Sequence, residues 1–150
     1  MKIVLLGRDR WSVFAVCSDE VTCPVLDFVQ DELEAKRGRK VLSDLREYVP
    51  FSDPKDWVRT DFSKSLTDSD AIYEFRWPKS KGGTPRVLWF YDKQHVVVCS
   101  HGINKKGELS PEEIRAAEGI KADYDTARAD GDIEEVTYAE FTSPRKGADK

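Results

Sequence analysis

The chain is poor in the residues that metal, redox and membrane chemistry require. Its 150 residues include two histidines, His95 and His101, and no His/Cys spacing that fits zinc. Cys17, Cys23 and Cys99 are an odd number and form no CxxC, which argues against a disulfide framework and for a reducing cytoplasm. The apolar run Ile3 to Leu6 gives way to Arg8-Asp9-Arg10, so the start lacks both the length and the small-residue cleavage site of a secretory signal. No apolar run approaches the roughly 20 residues a bilayer-spanning helix needs, and no membrane partner is expected. The opening MKIVLLG is followed by no GxGxxG, which removes a dinucleotide-binding reading in favour of a plain hairpin, and no small-molecule cofactor or metal is implied. There is no internal repeat and no sign of a second domain.

What is present is a soluble, globular composition, 39% hydrophobic and 35% charged, with a net charge of −4. The stretch from Ala71 to Pro111 organises it. Three short runs rich in Val, Ile, Phe, Tyr and Trp are separated by Pro78 to Pro85, with Gly82-Gly83, and by Asp92 to Gln94. That is the pattern of an antiparallel three-strand meander. Arg76, Lys79, Lys81, Arg86, Lys93, Lys105 and Lys106 fall between residues 76 and 106 against the single acid Asp92. A basic sheet inside an acidic protein points to a polyanion partner.

The remaining elements frame this sheet. Ile3 to Leu6 and Trp11 to Val16 read as a hairpin about Gly7 to Arg10. Pro24 opens a helix with Val25, Leu26, Phe28, Val29 and Leu33 on one stripe. Gly38 is its expected stop, and a second helix with Val41, Leu42, Leu45 and Val49 ends by Pro50. Phe51 to Asp70 reads as a polar loop with one helical turn, anchored by Trp57 and Phe62. Ser110-Pro111-Glu112-Glu113 predicts a capping-box helix start, with Ala116, Ile120, Tyr124 and Ala127 facing inward and a stop near Asp130-Gly131. Residues 108 to 135 hold ten acids and three bases, so this helix is either solvated surface or a shield over the basic sheet. Glu135 to Phe141 is a strand candidate. The expected class is α+β, with one domain over residues 1–141 and a disordered tail over 142–150. Its architecture is a twisted antiparallel sheet, a helical hairpin packed on it and a C-terminal helix.

Strand alternation assigns the faces. Tyr73, Phe75 and Trp77 oppose Ile72, Glu74 and Arg76. Arg86, Leu88 and Phe90 oppose Val87, Trp89 and Tyr91. His95, Val97, Cys99 and His101 oppose Val96, Val98 and Ser100. An even loop before the third strand brings Arg86, Cys99 and His101 to one face; an odd loop separates them unless a bulge restores parity. Arginine forks suit a phosphate, and histidine transfers protons near neutral pH. RNA can be cut without metal when its 2′-hydroxyl attacks the adjacent phosphate, given a base, an acid and positive charge for the phosphorane. Trp77 and Trp89 read as core rather than base-stacking residues.

Ile72-Tyr73-Glu74-Phe75-Arg76, Arg86-Val87-Leu88-Trp89-Phe90, His101-Gly102-Ile103-Asn104-Lys105-Lys106 and Ser110-Pro111-Glu112-Glu113-Ile114 stand in an order that resembles the RelE/ParE toxin superfamily, in its HigB-type, phage-derived branch. The likeness covers about Trp11 to Tyr124. It implies a RelE-like fold and the toxin of a type II toxin–antitoxin pair. That toxin would be a metal-independent endoribonuclease cutting mRNA on the ribosome, with a small helix-turn-helix antitoxin as partner. By position, Arg76 and Arg86 would stabilise the phosphate, His101 would act as general acid or base, and Lys105 and Lys106 would hold RNA. Lys64, standing where relatives often carry a lysine cluster, and Lys79 and Lys81 join them as RNA-binding candidates. Two alternatives stay open: a non-catalytic relative that grips gyrase or only its antitoxin, and a phage-derived binding module without toxicity.

Overall fold

A computed structural model describes residues 1–66, 69, 71–93 and 95–143. It is an α+β protein built on one mixed sheet of seven strands, with five helices among the described residues. The strands are β1 (Lys2–Arg8), β2 (Ser12–Val16), β3 (Ser63–Ser65), β4 (Tyr73–Arg76), β5 (Thr84–Tyr91), β6 (Val96–Lys105) and β7 (Glu134–Thr137). Their order across the sheet is β3-β4-β5-β6-β2-β1-β7.

The hairpin and the meander are both present, and the way they join corrects the all-antiparallel expectation. β2 runs parallel to β6, pairing Ser12 with Val96 and Phe14 with Val98, and β7 runs parallel to β1. A parallel neighbour requires a long crossover, and here the helical layer and β3 to β5 supply it. Two further strands lie in segments too polar to carry an apolar alternation. β3 pairs with β4 at one edge. β7 spans Glu134–Thr137, after which the chain turns into a short helix, α5 (Tyr138–Thr142), in place of the expected longer strand. Its start carries a capping box between Thr137 and Glu140. Residues 144–150 of the anticipated tail lie outside the described residues.

One face of the sheet is covered by the helical hairpin. Helix α1 (Pro24–Asp27) continues in a wider turn through Glu32, and α2 (Ala35–Ser43) continues through Tyr48 and Phe51. The break falls at Leu33, whose backbone is extended. Gly38 is therefore no stop but lies inside α2, pressed so close to the Val29 carbonyl that a Cβ would sit 2.0 Å from its oxygen. The short α3 (Pro54–Arg59), capped by Asp53, buries Trp57 against Phe75 and Trp89. Val25, Leu45, Phe75, Val87, Trp89 and Cys99 all belong to this core.

The opposite face is covered by α4 (Pro111–Asp130), which ends at Gly131 in the left-handed conformation, φ 74°. Its buried row is Ile114, Ala117 and Tyr124, whereas Ala116 is exposed. Ser110 makes no side-chain cap hydrogen bond, so the anticipated capping box does not form there. Ile3, Phe14, Ile72, Leu88, Phe90, Val98 and Ile103 complete this second core. No helix among the described residues is long and apolar enough to cross a membrane.

Candidate functional site

The α4-facing side of the meander collects the charged residues. In the register, Lys64 pairs with Glu74 and Glu74 with Leu88; one same-face step along, Arg76 pairs directly with Arg86, and Arg86 with Ile103. The alternation read from β4 and β5 holds: Tyr73, Phe75, Trp77, Val87 and Trp89 point to the helical-hairpin core, and Glu74, Arg76, Arg86 and Leu88 to the other side.

The third strand resolves the parity question through an irregularity. Trp89 pairs with Cys99, but Leu88 pairs with His101, so Ser100 is the extra residue of a β-bulge. The Asp92 N–H donates to the Val96 carbonyl, and the bulge restores His101 to the Arg86 face; Gln94, on which the odd-loop alternative turned, lies outside the described residues. Cys99 stays in the helical-hairpin core, so Cys99 and His101 lie on opposite faces. Lys105, expected on the following loop, belongs to β6 opposite Thr84.

Lys64, Arg76 and Arg86 converge on a cleft of about 210 Å³, walled on the far side by Leu66, Leu109 and Ile114. Arg76 and Arg86 also line a neighbouring hollow of about 490 Å³ that includes Lys40 and Lys79. At the base of the cleft is a residue that alternation placed but chemistry had not singled out: Glu74, 4% exposed. Its Oε2 lies 3.7 Å from Arg86 Nε, and Arg86 Nη2 donates to the Gly107 carbonyl at 2.9 Å. Arg76 Nε donates to the Asp61 carbonyl at 3.3 Å. Burial raises the Glu74 pKa, against the opposing pull of Arg86, Arg76 and Lys64. A lone glutamate in an exposed-looking strand ordinarily reads as solvated; its position between Ile72 and Arg76 on a face that α4 covers is what distinguishes it.

His101 shares the face but stands two strands from Glu74, with Leu88 between, and does not line the cleft. Its Nδ1 lies 2.8 Å from Ser100 Oγ and its Nε2 3.8 Å from Glu113 Oε1, at the start of α4. Burial lowers its pKa and the Glu113 carboxylate partly restores it. Lys81 and Lys106 are exposed and outside both hollows. Trp77 and Trp89 are buried, and Trp77 Nε1 donates to Asp44. Tyr124 donates to Asp92 and accepts from Arg128, ten residues along α4 from Ile114 and so about 15 Å from the cleft wall.

A family model described as Phage derived protein Gp49-like (DUF891) matches residues 30–121. That span runs from the helical hairpin to the first half of α4 and contains every residue of the cleft. Searches of curated proteins and of solved structures give no match.

Proposed function

We infer the function from one premise: the chain belongs to the phage-derived Gp49-like family, known as a RelE/ParE-like toxin family. Our reading is that it is the toxin of a type II toxin–antitoxin pair, of the HigB-type branch. It acts in the cytoplasm, cuts ribosome-bound mRNA without a metal, and is held in check by a small helix-turn-helix antitoxin.

The observation that carries this reading is the convergence of Lys64, Arg76 and Arg86 on one cleft of a chain whose net charge is −4. Directly paired arginines offer two planar forks for one phosphate. When the 2′-oxygen attacks, charge accumulates on the phosphorane, and cations already fixed in place stabilise it without reorganising. Fixed is the relevant word for Arg86, held between Glu74 and the Gly107 carbonyl. His101, beside the cleft, accepts or supplies a proton once RNA displaces the Glu113 carboxylate from above it. Lys79 in the adjoining hollow and Lys81, Lys105 and Lys106 beyond it extend the positive track for flanking nucleotides.

The half-buried position of His101 against Glu113 favours a second reading, in which the same surface grips a protein target such as gyrase, or the antitoxin, without catalysis. Induced expression with mapping of mRNA ends separates the two. On the first reading, growth stops, new mRNA ends appear in translated frames, and Arg76→Ala or Lys64→Ala lowers cutting by about 10²–10³-fold while the fold is kept. Growth arrest with intact mRNA refutes the nuclease and supports the protein-target reading. Absence of arrest in a folded, antitoxin-free chain refutes the nuclease and the gyrase reading and leaves a non-toxic binding module.

A further inference from the structure

We infer that Glu74 is the group that takes the 2′-hydroxyl proton in this cleft, an inference that rests on the mRNA-cleavage reading above. Glu74 is nine-tenths buried or more, yet it lines the cleft together with Lys64, Arg76 and Arg86. Its Oε2 and the facing Arg86 Nε are both buried without a hydrogen bond, 3.7 Å apart. A carboxylate serving only as counter-ion to a guanidinium closes to about 2.7–2.9 Å and uses both oxygens. Glu74 is set back from that contact. Buried carboxylate oxygens are ordinarily satisfied, and this one, which no donor among the described residues reaches, lines the cleft and is placed to accept from a donor bound there.

The register says what kind of donor. Glu74 lies one same-face step along β4 from the Arg76–Arg86 pair, about 6.8 Å at strand spacing. A phosphate forked by the two arginines puts its adjoining ribose over Glu74, with Lys64 across from it on β3. A 2′-hydroxyl is a neutral donor of the right size, and a DNA strand, lacking it, leaves the oxygen unsatisfied. Burial holds the proton affinity of Glu74 above that of a solvated glutamate, which brings it closer to the range where a general base works well.

In the step itself the 2′-O–H bond breaks and its proton passes to the Glu74 carboxylate. The 2′-oxygen forms a bond to phosphorus, the P–O5′ bond breaks, and the departing 5′-oxygen takes a proton from His101, which recovers it from solvent. The products are a 2′,3′-cyclic phosphate and a 5′-hydroxyl, with no change of oxidation state. Glu74 later returns its proton to solvent.

The test compares the full-length protein with Glu74→Gln and Glu74→Asp on mRNA in programmed ribosomes, across pH, with thermal melts of each. Loss of about 100-fold or more in Glu74→Gln is expected. The acid limb of the rate–pH profile should vanish and the melting temperature should hold or rise. Glu74→Asp, with its carboxylate drawn back one methylene, should cut slowly and keep the limb; it also decides the matter if Glu74→Gln does not fold. Wild-type cutting that Glu74→Gln matches within threefold, or slows with an unchanged pH profile, overturns the role of Glu74 and leaves the nuclease intact. An unchanged rate in Glu74→Asp overturns it as well. A wild type that cuts no mRNA overturns the nuclease reading and this role with it.

Discussion

Replacing Gly102 by alanine tests how tightly the sheet that carries the site is clamped to the helical hairpin. Gly102 lies between His101 and Ile103 on β6, opposite Val87. A Cβ there would sit 2.1 Å from Phe28 Cδ2 and 2.3 Å from Cγ, where ordinary carbon contacts lie at about 3.5–4.0 Å. The ring must therefore retreat by roughly 1.5 Å. Phe28 is 1% exposed and lies within the helical-hairpin core. Overpacking of this kind costs about 1–3 kcal/mol, and the depth of the overlap argues for the upper end. Against it, alanine narrows the unfolded ensemble and returns about 0.4–1 kcal/mol. Sterics win by about 2 kcal/mol, which for a domain of this size lowers the melting temperature by about 4–8 °C. Thermal melts followed by circular dichroism measure this, and a cycle with Phe28→Ala assigns the cause. Phe28→Ala alone costs about 3–5 kcal/mol. In its background Gly102→Ala should cost nothing or stabilise slightly, because the clashing ring is gone. A Gly102→Ala protein that melts within 1 °C of wild type, or a penalty that survives removal of the ring, refutes the reasoning.

Two further perturbations address α4. Tyr124→Phe removes the hydroxyl that links Asp92 to Arg128, leaving those two in their own ion pair at 3.3 Å. The loss should be about 1 kcal/mol, or roughly 2–4 °C by thermal melt, and an unchanged melt would show that the hydroxyl is dispensable. Burial and the Asp92 carboxylate push the Tyr124 pKa up to about 12, so the bond should persist through pH 10. His101 works in the other direction. Its pKa is lowered in the fold by burial, so it stabilises the protein above its unfolded value of about 6.5, and that contribution is lost as pH falls through the folded value. Urea midpoints should drop between pH 7 and 5 more steeply in wild type than in His101→Gln; parallel profiles would remove His101 as the cause. Glu113→Gln should steepen the drop, since the only charge favouring the imidazolium from α4 is then absent.

The legible parts of the fold were those where side-chain chemistry repeats with a period. β4 and β5 could be assigned face by face because Tyr73, Phe75 and Trp77 alternate with Glu74 and Arg76, and Val87 and Trp89 with Arg86 and Leu88. The alternation did not relate one strand to the next; the register, which pairs Arg76 with Arg86, puts them on one side. The helical hairpin and the stop of α4 at Gly131 were equally plain. What failed to show was pairing carried by the backbone. Ser63-Lys64-Ser65 has no apolar residue to alternate, and it is a strand because the adjacent edge of β4 offers it hydrogen bonds; the strand expected over Glu135 to Phe141 was found in part, since it ends at Thr137 where α5 begins. The bulge at Ser100 left no compositional mark, yet it alone decides which core His101 faces. Gly38 was misread because a helix-stopping glycine and a helix glycine in close contact with a carbonyl look alike in one dimension. Glu74 was named on the right face, but its burial depends on α4, which packs there from residues nearly forty positions later.

The acidic helix and the cationic cleft share one face of the sheet, which bears on how a net-negative chain could receive RNA. Electrostatics here are local. Glu118, Asp123 and Asp125 are exposed on α4, and a helix is about 10–12 Å across with its side chains. Charges on its outer surface are therefore farther from the sheet than the Debye length of about 8 Å at physiological salt, and they are largely screened there. The acids that act on the site are Glu74 beneath it, Glu108 on its wall and Glu113 over His101. Glu74 lies 3.7 Å from Arg86 and Glu113 lies 3.8 Å from His101, so these two act directly on a cation and an imidazole. Lys64 stands on β3, the edge strand of the sheet, and Arg76 lies on the neighbouring β4 one same-face step from Lys64's partner Glu74. Under the proposed reading, a backbone phosphate crossing that edge meets Lys64 before the paired arginines, and His101 lies two strands farther in than Lys64's partner Glu74. On that reading the order sets phosphate binding ahead of proton transfer by His101, and Glu74, which lines the cleft, is the nearer candidate base.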